Sequence, residues 1–333
     1  MFGEDCVHVA KSEKLRVLLF GATGTIGRAA LRAMQDDGHE IVCALRPGTT
    51  GPADIPGART LQADVTNREA LFSEAFSTEH FDAVVSCMAS RTGMPNDAWA
   101  IDCHAHLNVL KAAEKAGVGL FVLLSAICVQ KPRLQFHFAK LAFEKVLKSS
   151  AINHVIVRPT AYFKSLSGQV ARVKAGKPFL VFGNGRATMC MPISDDDLGR
   201  YLADCLTDPS RLDRTLPIGG PGPAITPMDQ GICLFEALGR KPHFRHVPLF
   251  AIKSIAKGLG LAGTVLPALA DKAEFARIGA YYATESMLVY NPETGHYDAD
   301  ATPSFGTETL CDHYDALLAG RAHTELGAHR VFK

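Results

Sequence analysis

The sequence lacks both an excess of charge of one sign and long apolar runs. Among its 333 residues, Lys and Arg together number 35 and Asp and Glu 34, so the formal net charge is +1. Proteins that bind nucleic acids usually carry a clear basic excess, and we therefore expect no nucleic-acid partner. No stretch reaches the roughly 20 consecutive apolar residues of a membrane-spanning helix. We expect no membrane span and leave peripheral association with a membrane open.

The sequence also lacks paired cysteines of the Cys-x-x-Cys type. Nine cysteines are present, but without the spacing that is typical of zinc and iron–sulfur sites, so we expect no metal centre. The first residues include Glu4 and Asp5 and have no apolar segment like that of a secretory signal peptide. Reduced thiols in a bacterial cytoplasm are expected, with a trimmed organellar protein as the alternative.

One stretch near the start of the chain combines a strand, three glycines and a helix. Residues 17–20 are apolar and predict a buried strand, and residues 29–34 predict a helix. Gly21, Gly24 and Gly27 stand between them. This order predicts dinucleotide binding: the glycines permit a sharp turn, close approach of a pyrophosphate, and tight packing of the helix on the sheet. The phosphates then bind at the free N–H groups of the helix. The same turn supplies four further predicted cofactor contacts, Thr23, Thr25, Ile26 and Arg28.

Strand and helix patterns alternate through the first half of the chain. This predicts an α/β fold with a doubly wound parallel sheet of the Rossmann type and a smaller C-terminal substrate-binding region. We divide the chain into a flexible tail (1–14), a dinucleotide-binding domain (15–165) and a substrate-binding region (166–333) that partly returns to the first domain. The six predicted strands cover residues 17–20, 40–45, 60–63, 81–87, 120–124 and 154–157.

The residues after the predicted strands indicate which nicotinamide cofactor binds, NADPH or NADH. Arg46 follows the second strand, where NAD enzymes usually carry an acid for the ribose 2′-hydroxyl. A guanidinium there favours a 2′-phosphate, with Thr49 or Thr50 as hydroxyl donors and Arg28 as a second candidate, so we predict NADPH. Ligands bind beyond the carboxyl ends of such strands. The remaining predicted cofactor contacts at these ends are Asp64, Val65, Ala89, Ser90, Ser125 and Pro159.

The helix after the fifth strand carries a lysine but no tyrosine. Short-chain dehydrogenases place Tyr-x-x-x-Lys there, whereas this chain has Phe136 and Lys140. Phenylalanine cannot donate a proton to a carbonyl oxygen, so ketone reduction loses its acid. Lys140 can still hold the nicotinamide ribose, or it is an ordinary surface lysine. Farther along, the apolar residues 250–269 predict either a helix pair in the core or a subunit contact, or a lid over a large flat ligand.

Several long motifs resemble one family, the NADPH-dependent divinyl (proto)chlorophyllide 8-vinyl reductases among the atypical short-chain dehydrogenases. The resemblance runs from about residue 17 to residue 332. It implies reduction of the C8 vinyl group of a magnesium chlorin in chlorophyll or bacteriochlorophyll synthesis, near photosynthetic membranes. The motifs are VVSCMASR (84–91), LLSAICVQKP (123–132), VRPTAYFKSL (157–166), PIGGPG (217–222) and IGAYYATESM (278–287).

The resemblance also implies roles for individual residues. A conjugated vinyl group accepts hydride without a strong acid, so loss of the tyrosine is tolerable. The predicted proton sources are Lys140, Tyr162 and Lys164, with water as the alternative. Lys164 or Arg158 pairs with the pigment propionate, unless Arg158 holds the strand end. The predicted substrate contacts are Phe136, Cys128, Arg158 and Phe163. Two alternatives stay open: a non-catalytic NADP sensor like the NmrA regulators, and an enzyme like the isoflavone reductases.

Overall fold

A sheet of seven parallel strands forms the centre of the protein. The computed structural model describes residues 14–49, 58–263 and 270–321, so Thr50, residues 264–269 and all but the last residue of the predicted tail lie outside it. The strands are β1 (Arg16–Phe20), β2 (Glu40–Leu45), β3 (Arg59–Gln62), β4 (Ala83–Ser86), β5 (Leu120–Leu124), β6 (Asn153–Pro159), β7 (Phe179–Phe182), β8 (Arg214–Ile218), β9 (Phe244–Val247), β10 (Val289–Asn291) and β11 (His296–Asp298). The large sheet has the order β3-β2-β1-β4-β5-β6-β8, and every pair in it is parallel.

Helices cover both faces of this sheet. Alternate residues of β1 point to opposite faces: Val17 and Leu19 belong to one buried core, and Leu18 and Phe20 belong to another. The predicted doubly wound α/β fold is confirmed. The helices are α1 (Thr25–Asp36), α2 (Arg68–Leu71), α3 (Pro95–Ala98), α4 (His106–Ala116), α5 (Gln135–Lys148), α6 (Phe163–Leu166), α7 (Val170–Lys174), α8 (Asp195–Asp204), α9 (Pro227–Ala237), α10 (Leu249–Gly263), α11 (Ala270–Tyr282) and α12 (Leu310–Leu318).

The second half of the chain contributes to the central sheet. β8 pairs with the end of β6, with Pro217 opposite Arg158, and α8 packs against α1, where a Cβ on Gly199 would lie 2.5 Å from the Ala29 carbonyl carbon. The motif at residues 217–222 therefore begins inside a strand. The division at residues 165 and 166 stays a prediction.

The helical region between β4 and β5 is not uniform. It consists of α3, a π-helical segment (Trp99–Ala105) and α4, and it ends at Gly117 with φ +74°. Short π segments often occur at functional sites. This one carries Asp102, which is 1% exposed.

Two cysteines correct the expectation that all thiols are reduced. Cys233 on α9 and Cys311 on α12 form a disulfide, with their Cα atoms 5.6 Å apart. They are 78 residues apart in the sequence, so their spacing gives no sign that the two helices pack together. Among the described helices, none combines the length and the apolar composition that crossing a membrane requires.

Candidate active site

The site lies where the strand order of the sheet reverses. β1 pairs with β2 on one side and with β4 on the other, so the connections after β1 and β4 leave the sheet in opposite directions and open a crevice. The segments after β1, β4, β5 and β6 meet at this edge. They contain most of the residues predicted from the sequence.

The glycine turn after β1 is packed so tightly against the backbone that Gly21 and Gly27 cannot carry side chains. Gly21 has φ +81°, and a Cβ there would lie 2.7 Å from the carbonyl carbon of Cys87. A Cβ on Gly27 would lie 2.1 Å from the Gly21 carbonyl oxygen. Gly24 begins α1, which has neither a side-chain cap nor an acid in its first turn. The N–H groups of this turn are therefore available to phosphate oxygens, and the turn fits the predicted cofactor.

Lys164 reaches the start of α1. Its ammonium donates a hydrogen bond to Thr25 Oγ1 at 2.9 Å, which puts the positive charge beside the free N–H groups. Asp195, at the start of α8, lies near this lysine, and burial raises the pKa of its carboxyl to about 6. The sequence predicts Lys164 as a proton source or a propionate partner; the geometry places its ammonium at the N-terminus of α1.

Tyr162 lies deeper in the same crevice. Its phenol is close to the thiols of Cys87 and Cys128 and to Asp195, and burial raises its pKa. Burial also raises the pKa of the Cys128 thiol to about 11. Both groups therefore hold their protons at neutral pH. The phenol of Tyr282 on α11 approaches Cys128 Sγ to 4.0 Å.

Lys140 forms an ion pair with a buried carboxylate. Its Nζ lies 3.0 Å from Asp102 Oδ1, and the two side chains are 12% and 0% exposed. The loop after β4 binds the same carboxylate: Ser90 donates from its hydroxyl to Oδ2 at 2.6 Å and from its N–H to Oδ1 at 3.2 Å. Lys140 is thus held in the site, and the surface-lysine alternative is not supported.

A second buried carboxylate pairs with Arg158. Glu144 on α5 is 1% exposed, and the Arg158 guanidinium donates to both of its oxygens. Ser125 donates its hydroxyl proton to Glu144 Oε1 at 2.6 Å. Arg158 therefore holds the ends of β5 and β6 against α5, which is the strand-end role predicted as its alternative. Glu144 follows Lys140 by one helical turn. This spacing puts Glu144 on the same face of α5 and could have identified it as a site residue from the sequence.

Phe136 and Phe163 occupy different environments. The Phe136 ring is half-buried beside Gly93 and Ile278 of α11, on the predicted face with Lys140. Phe163 is 1% exposed and packs in a separate core with β7 and α9. The structure corrects its assignment as a substrate contact, because its side chain faces away from the crevice into that core.

The loop after β5 holds the segment that follows α11. Glu285 is 5% exposed and lies 2.7 Å from the Lys131 ammonium and 2.8 Å from the Arg133 guanidinium. Tyr297 donates its phenolic proton to the same carboxylate at 2.7 Å. The QKP part of the 123–132 motif thus fixes α11 beside the site. Sequence reasoning missed Glu285 because its partners are remote along the chain.

The cofactor residues predicted after β2 and β3 are only partly arranged for binding. Arg46 is exposed directly after β2, and the Thr49 N–H closes a turn onto its carbonyl at 3.0 Å. Asp64 is already bonded to the Thr66 hydroxyl at 2.6 Å, and the Val65 side chain is in the core. Of the remaining predicted contacts, Thr23 and Ala89 are exposed, Arg28 lies on the first turn of α1, and Ile26 and Pro159 are buried.

The Arg158–Glu144 pair leads to a stability prediction. We expect Arg158→Met to lower the free energy of unfolding by about 3–5 kcal/mol, because it leaves a buried carboxylate without its cation. Arg158→Met combined with Glu144→Leu should recover most of that loss, since an apolar pair replaces the ionic one. Urea unfolding measures both. An Arg158→Met protein of unchanged stability but weaker pigment binding would restore the propionate assignment.

Comparisons with known proteins agree with this geometry. A family model described as NAD(P)H-binding matches residues 21–209, so the chain carries a nicotinamide-cofactor domain. The chain is similar to an Escherichia coli NADPH-dependent quinone oxidoreductase complexed with NADPH, with a TM-score of 0.63 and 19% identity, over 91% of this chain and 99% of that one. This likeness concerns the fold alone.

Two plant proteins are similar over almost the whole chain, and both are named divinyl chlorophyllide a 8-vinyl-reductase, chloroplastic. The protein from Oryza sativa subsp. indica is 44% identical, with 95% of this chain and 82% of that protein covered. The protein from Arabidopsis thaliana is also 44% identical, with 95% and 80% covered. The family resemblance found in the motifs is confirmed. The chain belongs to the divinyl chlorophyllide a 8-vinyl-reductase family.

Proposed function

We propose that this protein reduces the C8 vinyl group of divinyl chlorophyllide a, or of divinyl protochlorophyllide, to ethyl with NADPH. Two relatives that carry the 8-vinyl-reductase name share 44% of their residues with it over 95% of the chain. The observations in the structure that support this reaction concern the two usual hydroxyl donors: Phe136 stands in place of the tyrosine, and the Ser125 hydroxyl donates to Glu144 at 2.6 Å.

Carbonyl reduction on this fold needs a proton donor at the oxygen that becomes an alcohol. Phe136 occupies the position of the usual tyrosine and has no proton to give. Ser125 does have a hydroxyl, but its single proton is donated to Glu144 at 2.6 Å. Neither side chain polarises a carbonyl. A vinyl group conjugated to a macrocycle makes less demand on such donors, because the ring spreads the developing negative charge.

NADPH supplies the hydride when it is bound. The glycine turn accepts its pyrophosphate at the N-terminus of α1, and Lys164 adds a positive charge at the same point, 2.9 Å from Thr25 Oγ1. The exposed Arg46 side chain after β2 serves the 2′-phosphate. Lys140 serves the nicotinamide ribose, and the half-buried Phe136 ring contacts the flat pigment.

The proton must come from a group other than the missing tyrosine. Among the predicted sources, Tyr162 is a phenol, but burial raises its pKa and makes it a weak acid. Lys140 is tied to Asp102 and Lys164 to Thr25. We therefore infer that water reaching the crevice is the more suitable donor, with Tyr162 placed to bind it.

We also infer a cytoplasmic protein that contacts photosynthetic membranes at their surface. The α10–α11 pair offers the apolar side chains for this contact: Phe250 is 72% exposed and Phe275 is 47% exposed. The neighbouring Lys257 is exposed as well, and a basic apolar surface suits an anionic bilayer.

The function is tested by mixing the purified protein with NADPH and divinyl chlorophyllide a. We expect the Soret band to move to that of the monovinyl pigment, with one NADPH oxidised for each vinyl group reduced. Binding of NADPH without any turnover would favour the sensor alternative. Turnover of phenolic substrates in place of the pigment would favour the alternative resembling isoflavone reductases.

The cofactor assignment predicts different effects for two cations. Arg46→Ala should weaken binding of NADPH by about 10- to 100-fold, because a hydrogen bond to a charged group contributes about 1.5–3 kcal/mol. Binding of NADH, which has no 2′-phosphate, should be nearly unchanged. Lys164→Met should weaken both, because the pyrophosphate is common to them. Fluorescence titration measures the four dissociation constants.

Arg245, exposed on β9 away from the crevice, supplies the control for Arg46. Arg245→Ala should change neither dissociation constant. Equal losses of NADPH and NADH binding in Arg46→Ala would move the 2′-phosphate contact to another residue, with Arg28 as the first candidate. A normal NADPH affinity but slower turnover in Lys164→Met would return Lys164 to the role of proton source.

The missing tyrosine leads to a prediction for Phe136. Phe136→Tyr adds a hydroxyl to a ring that lies beside Ile278 and Gly93. The centroid of the Phe136 ring is 4.2 Å from that of the His137 ring. Vinyl reduction should not accelerate, and it should slow where the new hydroxyl lacks a partner, at a cost of about 1–3 kcal/mol. Phe138→Tyr, on the same helix but 43% exposed, is the control. A large rate gain in Phe136→Tyr alone would show that an acid at this point limits the reaction.

A further inference from the structure

Asp102 is a fully buried acid to which nothing in the sequence assigned a role. It lies on the π-helical segment between α3 and α4 and receives three hydrogen bonds, from the Lys140 ammonium and from the N–H and hydroxyl of Ser90. These partners come from α5 and from the loop after β4. One carboxylate therefore joins two segments that the site uses.

The buried Asp102–Lys140 ion pair is an unfavourable way to connect two segments if stability is its only purpose. Moving a carboxylate and an ammonium out of water is unfavourable, and apolar side chains of similar volume often serve stability better. The pair also lies at the mouth of the crevice, where Lys140 keeps 12% of its side-chain surface exposed while Asp102 has none. The exposed part of the pair is the cation, and a bound ligand meets the cation and not the acid.

Two buried histidines lie close to the pair. His106 on α4 is bonded through Nδ1 to the Ile101 carbonyl at 2.7 Å and through Nε2 to Ser86 at 2.9 Å, and burial lowers its pKa to about 4. His137 on α5 is also buried, with its pKa lowered to about 4. Both imidazoles are neutral near pH 7. Neither histidine competes with the Lys140 ammonium as a cation, and Asp102 pairs with that ammonium at 3.0 Å.

We propose that Asp102 is a positioning residue, which fixes the direction of the Lys140 ammonium toward the nicotinamide ribose and sets the loop at Ser90 in register with it. This rests on the cofactor assignment of the proposed function. Lysine has four rotatable side-chain bonds, and the ion pair removes most of that freedom before the cofactor binds. Asp102 acts through Lys140 and touches neither the pigment nor the cofactor.

The test is a double-mutant cycle on NADPH affinity, which needs no pigment. Asp102→Asn keeps the size of the side chain and removes its charge, and we expect it to raise the NADPH dissociation constant about tenfold. In a Lys140→Met background the same change should have less than about a twofold effect, because the group through which it acts is gone. Asp97, which holds Thr92 by two hydrogen bonds at 2.8 and 2.9 Å in the same loop, gives the control: Asp97→Asn should leave the constant unchanged.

Two results would overturn the proposal. One is an unchanged NADPH affinity in Asp102→Asn, and the other is the same loss with and without Lys140. If Asp102→Asn does not fold, Asp102→Glu keeps the charge but displaces it by one methylene, and it too should weaken NADPH binding by several fold at a near-normal melting temperature. A protein that shows this coupling yet never reduces the pigment would contradict the proposed function and leave the role of Asp102 standing.

Discussion

The interaction on which the site depends is the hydrogen bond that the Ser125 hydroxyl donates to the buried carboxylate of Glu144. Together with Arg158, this contact joins the ends of β5 and β6 to α5, the helix that carries Phe136 and Lys140. The same contact has a chemical consequence, because a hydroxyl that donates to a carboxylate cannot donate to a substrate oxygen. The contacts with Glu144 that fix α5 therefore also remove the Ser125 hydroxyl, the second proton donor that carbonyl reduction would use.

The positive charges of the crevice divide into two groups by their partners. Lys140 and Arg158 each pair with a buried acid and hold geometry. Lys164, by contrast, is bonded to the neutral hydroxyl of Thr25, and Arg46 is exposed beyond β2. Phosphates are best bound by cations whose charge is not already neutralised. The two cations thus differ in their direct partners: Lys140 lies 3.0 Å from the Asp102 carboxylate, whereas the Lys164 ammonium donates to the Thr25 hydroxyl, with the Asp195 carboxyl nearby.

The fold was predictable from the sequence because its signals are local. The strands are continuous apolar runs bounded by turns, and the glycines at 21, 24 and 27 fit a single backbone geometry. The partners of the charged residues were not predictable in the same way: Asp102 is 38 residues from Lys140, and Cys233 is 78 residues from Cys311. Arg158, near the end of β6, and Phe163, just after it, were both predicted as substrate contacts from one family motif, and only the packed structure shows that Arg158 pairs with Glu144 and that Phe163 lies in a separate core.

The central claim is that this site reduces a carbon–carbon double bond because the tyrosine that usually polarises a carbonyl is replaced by Phe136 and the Ser125 hydroxyl donates to Glu144. Divinyl chlorophyllide a carries a ring ketone as well as vinyl groups, so it offers both reactions to the same site. The most direct measurement is the position of deuterium in the product after turnover with NADPH labelled at C4 of the nicotinamide, read by mass spectrometry and NMR. The account predicts one deuterium in the new C8 ethyl group and none at the ring ketone carbon. Deuterium on a carbinol carbon would contradict it.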